Sequence, residues 1–123
     1  MRVAGLDHIV LNVSDVERSV EWYRTKLGLE PERLEEWRRG EILFPSLRID
    51  EHTLIDLFPS EPTGENLNHV ALVVEGADLQ GMAESGEWDV HGGPSDGLYG
   101  AHGMGNGLYV RDPDGNVVEL RQY

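Results

Sequence analysis

The chain opens with a stretch in which apolar and polar residues alternate, "LDHIVLNV" at residues 6–13. A period of two is typical of a β-strand whose two faces meet different surroundings. His8 and Val10 fall on one face of this predicted strand, and Ile9 and Leu11 fall on the other. The pattern therefore predicts a first strand that carries a histidine.

A helical pattern follows this strand. Apolar residues recur at helical spacing at Val16, Val20, Tyr23 and Leu27. Ser14 precedes the pattern and Glu17 follows three residues later, as in a capping box, while Gly28 provides the stop. The pattern predicts a helix between Ser14 and Gly28.

The rest of the chain is predicted to contain short extended runs and a second, shorter helix. In the first half the runs lie near 33–37, 41–49 and 53–58, and "PSEPTGEN" after them is typical of a linker. In the second half the pattern predicts a strand at 67–74, a helix from about Asp78 to Ser85, and runs near 88–91, 98–104, 107–111 and 117–122. Each half therefore reads as a strand, a helix and further strands.

The two halves also share residues. "LNHVALVV" at 67–74 repeats the opening phrase, so that His69 matches His8 sixty-one positions later. "VVELR" at 117–121 matches "LIDLF" at 54–58, so that Glu119 matches Asp56. Such repetition predicts two copies of one structural unit. We predict an α+β fold in a single domain, 1–123, with module one at about 4–58, a linker at about 59–65 and module two at about 66–123.

The repeated histidines and carboxylates indicate a metal site. Two such units, paired within one chain or across a dimer, would gather His8, Asp56, His69 and Glu119 around one cavity. Packing does not require a histidine on both first strands and an acid on both last strands, whereas a divalent ion with nitrogen and oxygen ligands does. The chain has no cysteine, which excludes thiolate nucleophiles and cysteine-ligated zinc.

Charge and hydropathy limit the classes of partner that the chain is expected to bind and the location that it is expected to have. A net charge of -13 in 123 residues disfavours nucleic acid and anionic membrane surfaces, because both bind clustered Lys and Arg. There is no run of eighteen apolar residues, and the N-terminus lacks the features of a signal peptide, so we expect a cytoplasmic protein. Two explanations of the acidic composition stay open, an ordinary solvated surface and a source that lives at high salt.

Three segments carry a family resemblance: "GLDHIVLNVSDVERSVEWYRTKLGL", "LNHVALVVEGADL" and "GNGLYVRDPDGNVVEL". They resemble the vicinal oxygen chelate superfamily, which includes glyoxalase I, ring-cleaving dioxygenases, fosfomycin-resistance transferases, methylmalonyl-CoA epimerase and bleomycin-binding proteins. The resemblance implies paired βαβββ modules that form a cupped mixed sheet around a metal, usually in a homodimer. It specifies the fold better than the reaction, because one scaffold carries several chemistries.

The resemblance to glyoxalase I implies metal ligation by His8, His69 and Glu119, and by Asp56 where that enzyme has Glu. In the lyase and isomerase branch the metal polarises adjacent substrate oxygens and a carboxylate moves a proton, which makes Glu119 the first predicted base and Asp56 the second. The resemblance implies one divalent metal ion, which could be Ni, Zn, Mn, Co or Fe, and it does not distinguish among these five.

The ring-cleaving branch needs only two histidines and one carboxylate on Fe(II). That branch also has a Tyr ten residues before the Glu, and Tyr109 stands there. The intervening "RDPDG" predicts a tight turn that would place Tyr109 opposite Glu119 on the paired strand, where it is either a catalytic residue or a packing aromatic. Asp56 and the short chain weigh against a standard dioxygenase.

The other branches fit less well. Val10 replaces the hydroxyl residue of the fosfomycin transferases, and four metal-ligand candidates count against a bleomycin-type binding protein. The epimerase stays possible, although "RDPDGN" replaces the motif that its family has before the final Glu. The glycine-rich run at 91–107 predicts a mobile loop over the cavity, from which Tyr99 and His102 would reach the substrate.

We therefore predict a divalent-metal-dependent, glyoxalase-like lyase or isomerase that acts on a small oxygen-bearing molecule. Two alternatives stay open. One is an Fe(II) ring-cleaving dioxygenase, and the other is an antibiotic-type binding protein without catalysis. The predicted partners are a small-molecule substrate and a second copy of the chain.

Overall fold

The computed structural model describes residues 1–111, 115 and 117–123, apart from the side chain of Leu27. Its elements follow the order β1 (Arg2–Val13), α1 (Val16–Leu27), β2 (Pro31–Glu32), α2 (Leu34–Arg38), β3 (Ser46–Arg48), β4 (Leu54–Pro59), β5 (Leu67–Glu75), α3 (Leu79–Glu84), β6 (Val90–Gly100), β7 (Gly103–Arg111) and β8 (Val117–Gln122). The predicted α+β class is confirmed. A strand, a helix and three further strands occur twice, with α2 as an addition to the first run, while the predicted module boundaries stay a prediction.

The chain divides into two compact units. Unit one contains residues 1–8 and 69–123, and unit two contains residues 9–68. In unit one, β8 lies between a parallel neighbour, β5, and an antiparallel neighbour, β7, which in turn pairs with β6. This unit is therefore a mixed sheet. Its core is formed by Val74, Leu79, Leu108, Val110 and Leu120.

Unit two combines α1 with three antiparallel strands, β2, β3 and β4. The apolar stripe that predicted α1 packs there, since Val16 and Val20 are buried with Leu47 and Leu57. The helix ends at Gly28, whose φ of 69° is the left-handed conformation that glycine adopts without strain. The predicted helix and its stop are therefore confirmed.

The N-cap of α1 differs from the prediction. Asp15, rather than Ser14, caps the helix, because the Asp15 carboxylate accepts the backbone N–H of Arg18 at 3.0 Å. The Ser14 hydroxyl instead accepts a hydrogen bond from the Arg18 guanidinium at 3.2 Å. The Asp15 carboxylate, one position later than Ser14, reaches a free backbone amide in the first turn of the helix. The capping-box pattern did not distinguish between these two neighbouring residues as the N-cap.

The extended run predicted at 33–37 is wrong. Residues Leu34–Arg38 form α2, and only Pro31–Glu32 before it is a strand. Leu34 and Trp37, three residues apart, both pack on the core of unit two, which a strand with a period of two would not allow. Of the run predicted at 41–49, only Ser46–Arg48 is a strand.

The glycine-rich run at 91–107 is not a loop. It forms most of the hairpin of β6 and β7, in which Leu98 pairs with Gly105 and Gly100 pairs with Gly103. Glycine at 105 is required by a close approach of backbones, because a Cβ there would lie 2.4 Å from the carbonyl oxygen of Gln122. The glycines that suggested loop mobility thus permit tight packing within a sheet.

Across residues 1–111, 115 and 117–123, no helix has both the length and the apolar character that crossing a membrane requires.

Candidate metal centre

Three of the four predicted metal ligands meet in unit one. His8 lies on β1, His69 on β5 and Glu119 on β8. Glu119 pairs with Ala71 in the parallel register of β5 and β8, so that His69, two residues before Ala71, shares a face of the sheet with Glu119. The ligand atoms of the three residues lie within 4.8 Å of one another.

The separations between these atoms are nearly equal. His8 Nε2 lies 3.2 Å from His69 Nε2 and 3.4 Å from Glu119 Oε2, and His69 Nε2 lies 3.3 Å from the same carboxylate oxygen. A cation with tetrahedral angles and bonds of about 2.0–2.1 Å separates its ligand atoms by about 3.3 Å. Two imidazole nitrogens and one carboxylate oxygen at these spacings therefore fit a divalent ion.

The charges around the cluster also favour a cation. Among the described residues of unit one, the buried charged groups are two carboxylates, Asp7 and Glu119, and one guanidinium, Arg121. One of the two negative charges is therefore left to be compensated by a metal cation or by a proton on the buried His8. Burial of such a charge is costly unless a cation or a proton compensates it.

Burial and hydrogen bonding shift the pKa values of the two carboxylates in opposite directions. Burial by itself would raise the pKa of Glu119, but contacts with His69, His8 and Arg121 outweigh it and hold that pKa well below its usual range. For Asp7, burial is likewise outweighed, by hydrogen bonds from His8, Tyr123 and Ala101, so that the pKa of Asp7 is lowered. Both groups are therefore anions at neutral pH.

Tyr109 lies beside the cluster, as the sequence predicted. It pairs with Glu119 across the antiparallel strands β7 and β8. Its ring meets the imidazole of His69 edge to face, with centroids 5.4 Å apart and planes at 89°. The turn "RDPDG" that led to this prediction lies largely outside the described residues.

Asp56, the fourth predicted ligand, belongs to unit two. It is fully buried on β4 and accepts a hydrogen bond from the Ser46 hydroxyl at 2.5 Å. Ser46 stands directly opposite Asp56 on the antiparallel strand β3. The part of Asp56 in the metal site stays a prediction.

Tyr99 and His102, which were expected on a mobile loop, are held in the hairpin. The carbonyl oxygen of Tyr99 accepts a hydrogen bond from Arg121 at 3.4 Å, and the backbone N–H of His102 donates to the Tyr123 hydroxyl at 3.1 Å.

Three residues around the cluster escaped the sequence analysis. Asp7 accepts the Nδ1–H of His8 at 2.7 Å, and Arg121 donates to Glu119 Oε1 at 2.8 Å. The Tyr123 hydroxyl donates to Asp7, and burial together with this hydrogen bond raises the pKa of Tyr123 to about 12. One signal was available, because Arg121 follows Glu119 at an interval of two and so shares its face of β8, with Tyr123 next in the same alternation.

Comparison with known proteins identifies the family. The model of the Glyoxalase/Bleomycin resistance protein/Dioxygenase superfamily matches residues 5–120. The chain belongs to this superfamily. The superfamily is the one that the sequence resemblance indicated, the vicinal oxygen chelate proteins, and its match includes all the predicted site residues.

Two relatives of this superfamily member match over its whole length. The virulence protein STM3117 of Salmonella typhimurium is 29% identical, over 87% of its own length. The glyoxalase domain-containing protein RDO1 of Mycosarcoma maydis is 30% identical, over 70% of its own length.

A solved structure supports the fold. A variant of the Streptomyces coelicolor methylmalonyl-CoA epimerase, in complex with 2-nitronate-propionyl-CoA, is 19% identical and has a TM-score of 0.63. The alignment covers 98% of this chain and 97% of the epimerase. At this identity the likeness establishes the fold and leaves the reaction open.

Proposed function

We propose that the protein is a divalent-metal-dependent lyase or isomerase of the glyoxalase type, acting on a small oxygen-bearing molecule. The observation that supports this most is the convergence of His8 Nε2, His69 Nε2 and Glu119 Oε2 in unit one. A divalent ion held by these atoms supplies Lewis-acid polarisation of substrate oxygens, the chemistry that makes a neighbouring C–H bond acidic. Three ligands leave further positions for a substrate.

The chain's own residues divide the remaining tasks. His8 is 2% exposed and Glu119 is 1% exposed, whereas the side chain of His69 is 13% exposed, so that a substrate approaches the centre from the side of His69 and Tyr109. The ring of Tyr109 packs edge to face on the imidazole of His69.

The two predicted bases have unequal support. The bond from Arg121 to Glu119 Oε1 reduces the basicity of Glu119 and supports its role as a ligand more than its role as a base. Asp56, the second predicted base and the predicted fourth ligand, accepts a hydrogen bond from a neutral hydroxyl. We propose that a carboxylate moves the substrate proton, with Glu119 as the first predicted base and Asp56 as the second.

Metal content tests the first part of this proposal. The purified protein, loaded with Zn²⁺ or Ni²⁺ and desalted, should retain about one ion per chain by mass spectrometry of the metal. The double variant His8→Ala, His69→Ala should retain none. The matched control replaces two exposed histidines, His52→Ala with His91→Ala, and should keep the ion. Full metal content in the first double variant would contradict the site.

A ring-cleaving dioxygenase is the second candidate, because two histidines and one carboxylate with Tyr109 alongside also suit Fe(II). Anaerobic assays separate the two reactions. We expect exchange of a substrate C–H proton with solvent deuterium, without oxygen, in a panel of hemithioacetals and methylmalonyl-CoA. Oxygen uptake with a catechol panel, matched by ring cleavage, would favour the dioxygenase. No reaction in either panel, with saturable binding, would favour the binding protein. A cytoplasmic location stays a prediction.

A further inference from the structure

Asp7 and Arg121 are two fully buried charged residues beside the proposed metal centre, and neither belongs to its three ligands. Arg121 Nε lies 3.6 Å from Asp7 Oδ2. A buried charge fixes the groups around it when it is paired and holds further hydrogen bonds, as Asp7 does through both carboxylate oxygens and Arg121 through both Nη atoms, although its Nε has no hydrogen-bond partner among the described residues. The contacts of this pair lead directly to two of the ligands.

Asp7 determines which nitrogen of His8 carries a proton. Its Oδ1 lies 2.7 Å from His8 Nδ1 and also accepts the backbone N–H of Ala101 at 2.9 Å, while Tyr123 donates to Oδ2. An ionised carboxylate only accepts hydrogen bonds, so His8 Nδ1 must donate. In the neutral imidazole the lone pair then lies on Nε2, the atom that faces His69 and Glu119.

Arg121 determines which oxygen of Glu119 is available. Its Nη1 donates to Glu119 Oε1 at 2.8 Å, so that Oε2 alone faces the two histidines. The guanidinium is held from its other side, since Nη2 donates to the carbonyl oxygen of Leu98 at 2.7 Å. Its face lies over the ring of Tyr123, with Cζ 4.7 Å from the ring centroid.

The glycines of the β6–β7 hairpin provide the space for this arrangement. A Cβ at Gly100 would lie 2.5 Å from Arg121 Cζ, and a Cβ at Gly107 would lie 2.9 Å from Glu119 Oε1. The guanidinium and the carboxylate therefore occupy volume that a side chain would fill at any other residue type. Their positions are determined by backbone, aromatic ring and charge together.

We propose that Asp7 and Arg121 are positioning residues of the metal centre: Asp7 directs His8 Nε2 at the ion, and Arg121 restricts Glu119 to one ligand oxygen. This inference rests on the proposed metal site. According to this inference, two residues outside the ligand set determine the orientation and the charge of two of the three ligands.

The test compares metal binding by conservative variants and by a matched exposed pair. Asp7→Asn keeps the size of the side chain, and Arg121→Lys keeps the charge but loses the two-pronged guanidinium. Asp89 and Arg111 form an exposed ion pair at 3.1 Å in the same unit, so Asp89→Asn and Arg111→Lys are the controls. Zn²⁺ affinity is measured by competition with a chromophoric chelator, and the Co²⁺ visible spectrum reports the ligand set.

We expect Asp7→Asn to weaken Zn²⁺ binding by about 10–100-fold and Arg121→Lys by about tenfold, with the controls unchanged. Arg121→Lys should also change the Co²⁺ bands, because Glu119 can then offer its second oxygen. A role of Arg121 in charge balance alone would leave both readouts unchanged in the Lys variant.

Circular dichroism establishes that each variant is folded. If Asp7→Asn or Arg121→Lys does not fold, Tyr123→Phe replaces it, since it removes only a hydroxyl that donates to Asp7, and it should weaken Zn²⁺ binding by more than about twofold and less than about tenfold. Affinities within about twofold of wild type and unchanged Co²⁺ bands would overturn this inference alone. Failure of the wild-type chain to bind Zn²⁺ or Co²⁺ would overturn the proposed function together with it.

Discussion

At the scale of single residues, the neighbours of a carboxylate decide what it can do. Glu119 and Asp56 occupy matching places in the repeat, yet their surroundings differ. Glu119 is held by a guanidinium and lies beside two imidazoles, whereas Asp56 accepts a hydrogen bond from the Ser46 hydroxyl. An anion stabilised by positive charge is a good ligand and a poor base, which favours Glu119 as a ligand.

Replacing the two carboxylates separates these roles. We expect Glu119→Gln to lose both the bound metal and at least about 100-fold in turnover, because it removes a ligand from the ion. Asp56→Asn should keep the metal on the three remaining ligands and lower turnover less severely. Metal content and the rate of C–H proton exchange, measured on the same preparations, provide the comparison.

Glu32→Gln is a suitable control, because Glu32 is also a carboxylate in an ion pair, with Arg48 at 2.9 Å, and neither residue is a predicted ligand or base. It should alter neither quantity. If Glu119→Gln kept its metal while Asp56→Asn lost it, the assignment of Glu119 as a metal ligand would be wrong. Under dioxygenase chemistry, Asp56→Asn should be nearly silent.

At the scale of elements, the β6–β7 hairpin shows why a glycine-rich run need not be flexible. The long side chain of Arg121 on β8 and the backbone of Gln122 approach the hairpin so closely that Gly100 and Gly105 have no room for a Cβ. The hairpin therefore packs against β8 at distances that only glycine allows, and it forms a rigid support for the metal centre.

The hairpin makes a stability prediction. Gly105→Ala should destabilise the protein by about 1–3 kcal/mol, because the new methyl group would meet the carbonyl oxygen of Gln122 at 2.4 Å. Gly92→Ala in the same hairpin is the control, since a Cβ at Gly92 would meet no atom within 4 Å and the φ of Gly92 is not positive. Urea titration measures both free energies of unfolding. Equal stability of the two variants would contradict the close approach.

At the scale of the whole molecule, the open question is assembly. In unit one, β1 begins with residues Arg2–Leu6 in strand conformation, all of them exposed. Val3 is 53% exposed and Leu6 is 44% exposed, an unusual amount of apolar surface for a strand. A second copy of the chain would cover such an exposed apolar surface.

We accordingly expect a homodimer. The mass of one chain is 13.8 kDa, and light scattering on the purified protein at micromolar concentration should give about twice that mass. Measurement at low and at high salt is informative, because a net charge of -13 per chain opposes association until it is screened. A monomer under both conditions would contradict the dimer and leave the fold unaffected.

The sequence by itself determined the features that repeat. His8 and His69 were found because the same phrase occurs twice, and Glu119 because the last strands of both halves carry an acid. Strand faces follow from a period of two, and the turn predicted at "RDPDG" placed Tyr109 opposite Glu119, where the strand pairing has it. The positions of these residues could be predicted because each depends on local periodicity, a local turn or repetition, all of which are visible along a single chain, while their roles stay predictions.

Only the tertiary structure decided the residues that support the centre. Asp7 precedes His8 in a strand, so periodicity predicts that it points away, yet its carboxylate bonds the His8 ring. Arg121 meets Leu98 and Gly100 more than twenty residues away in the sequence, and Trp37 in α2 is partly buried against the core of unit two. Such contacts depend on which strands become neighbours, and local pattern carries no information on the free energy of those long-range pairings.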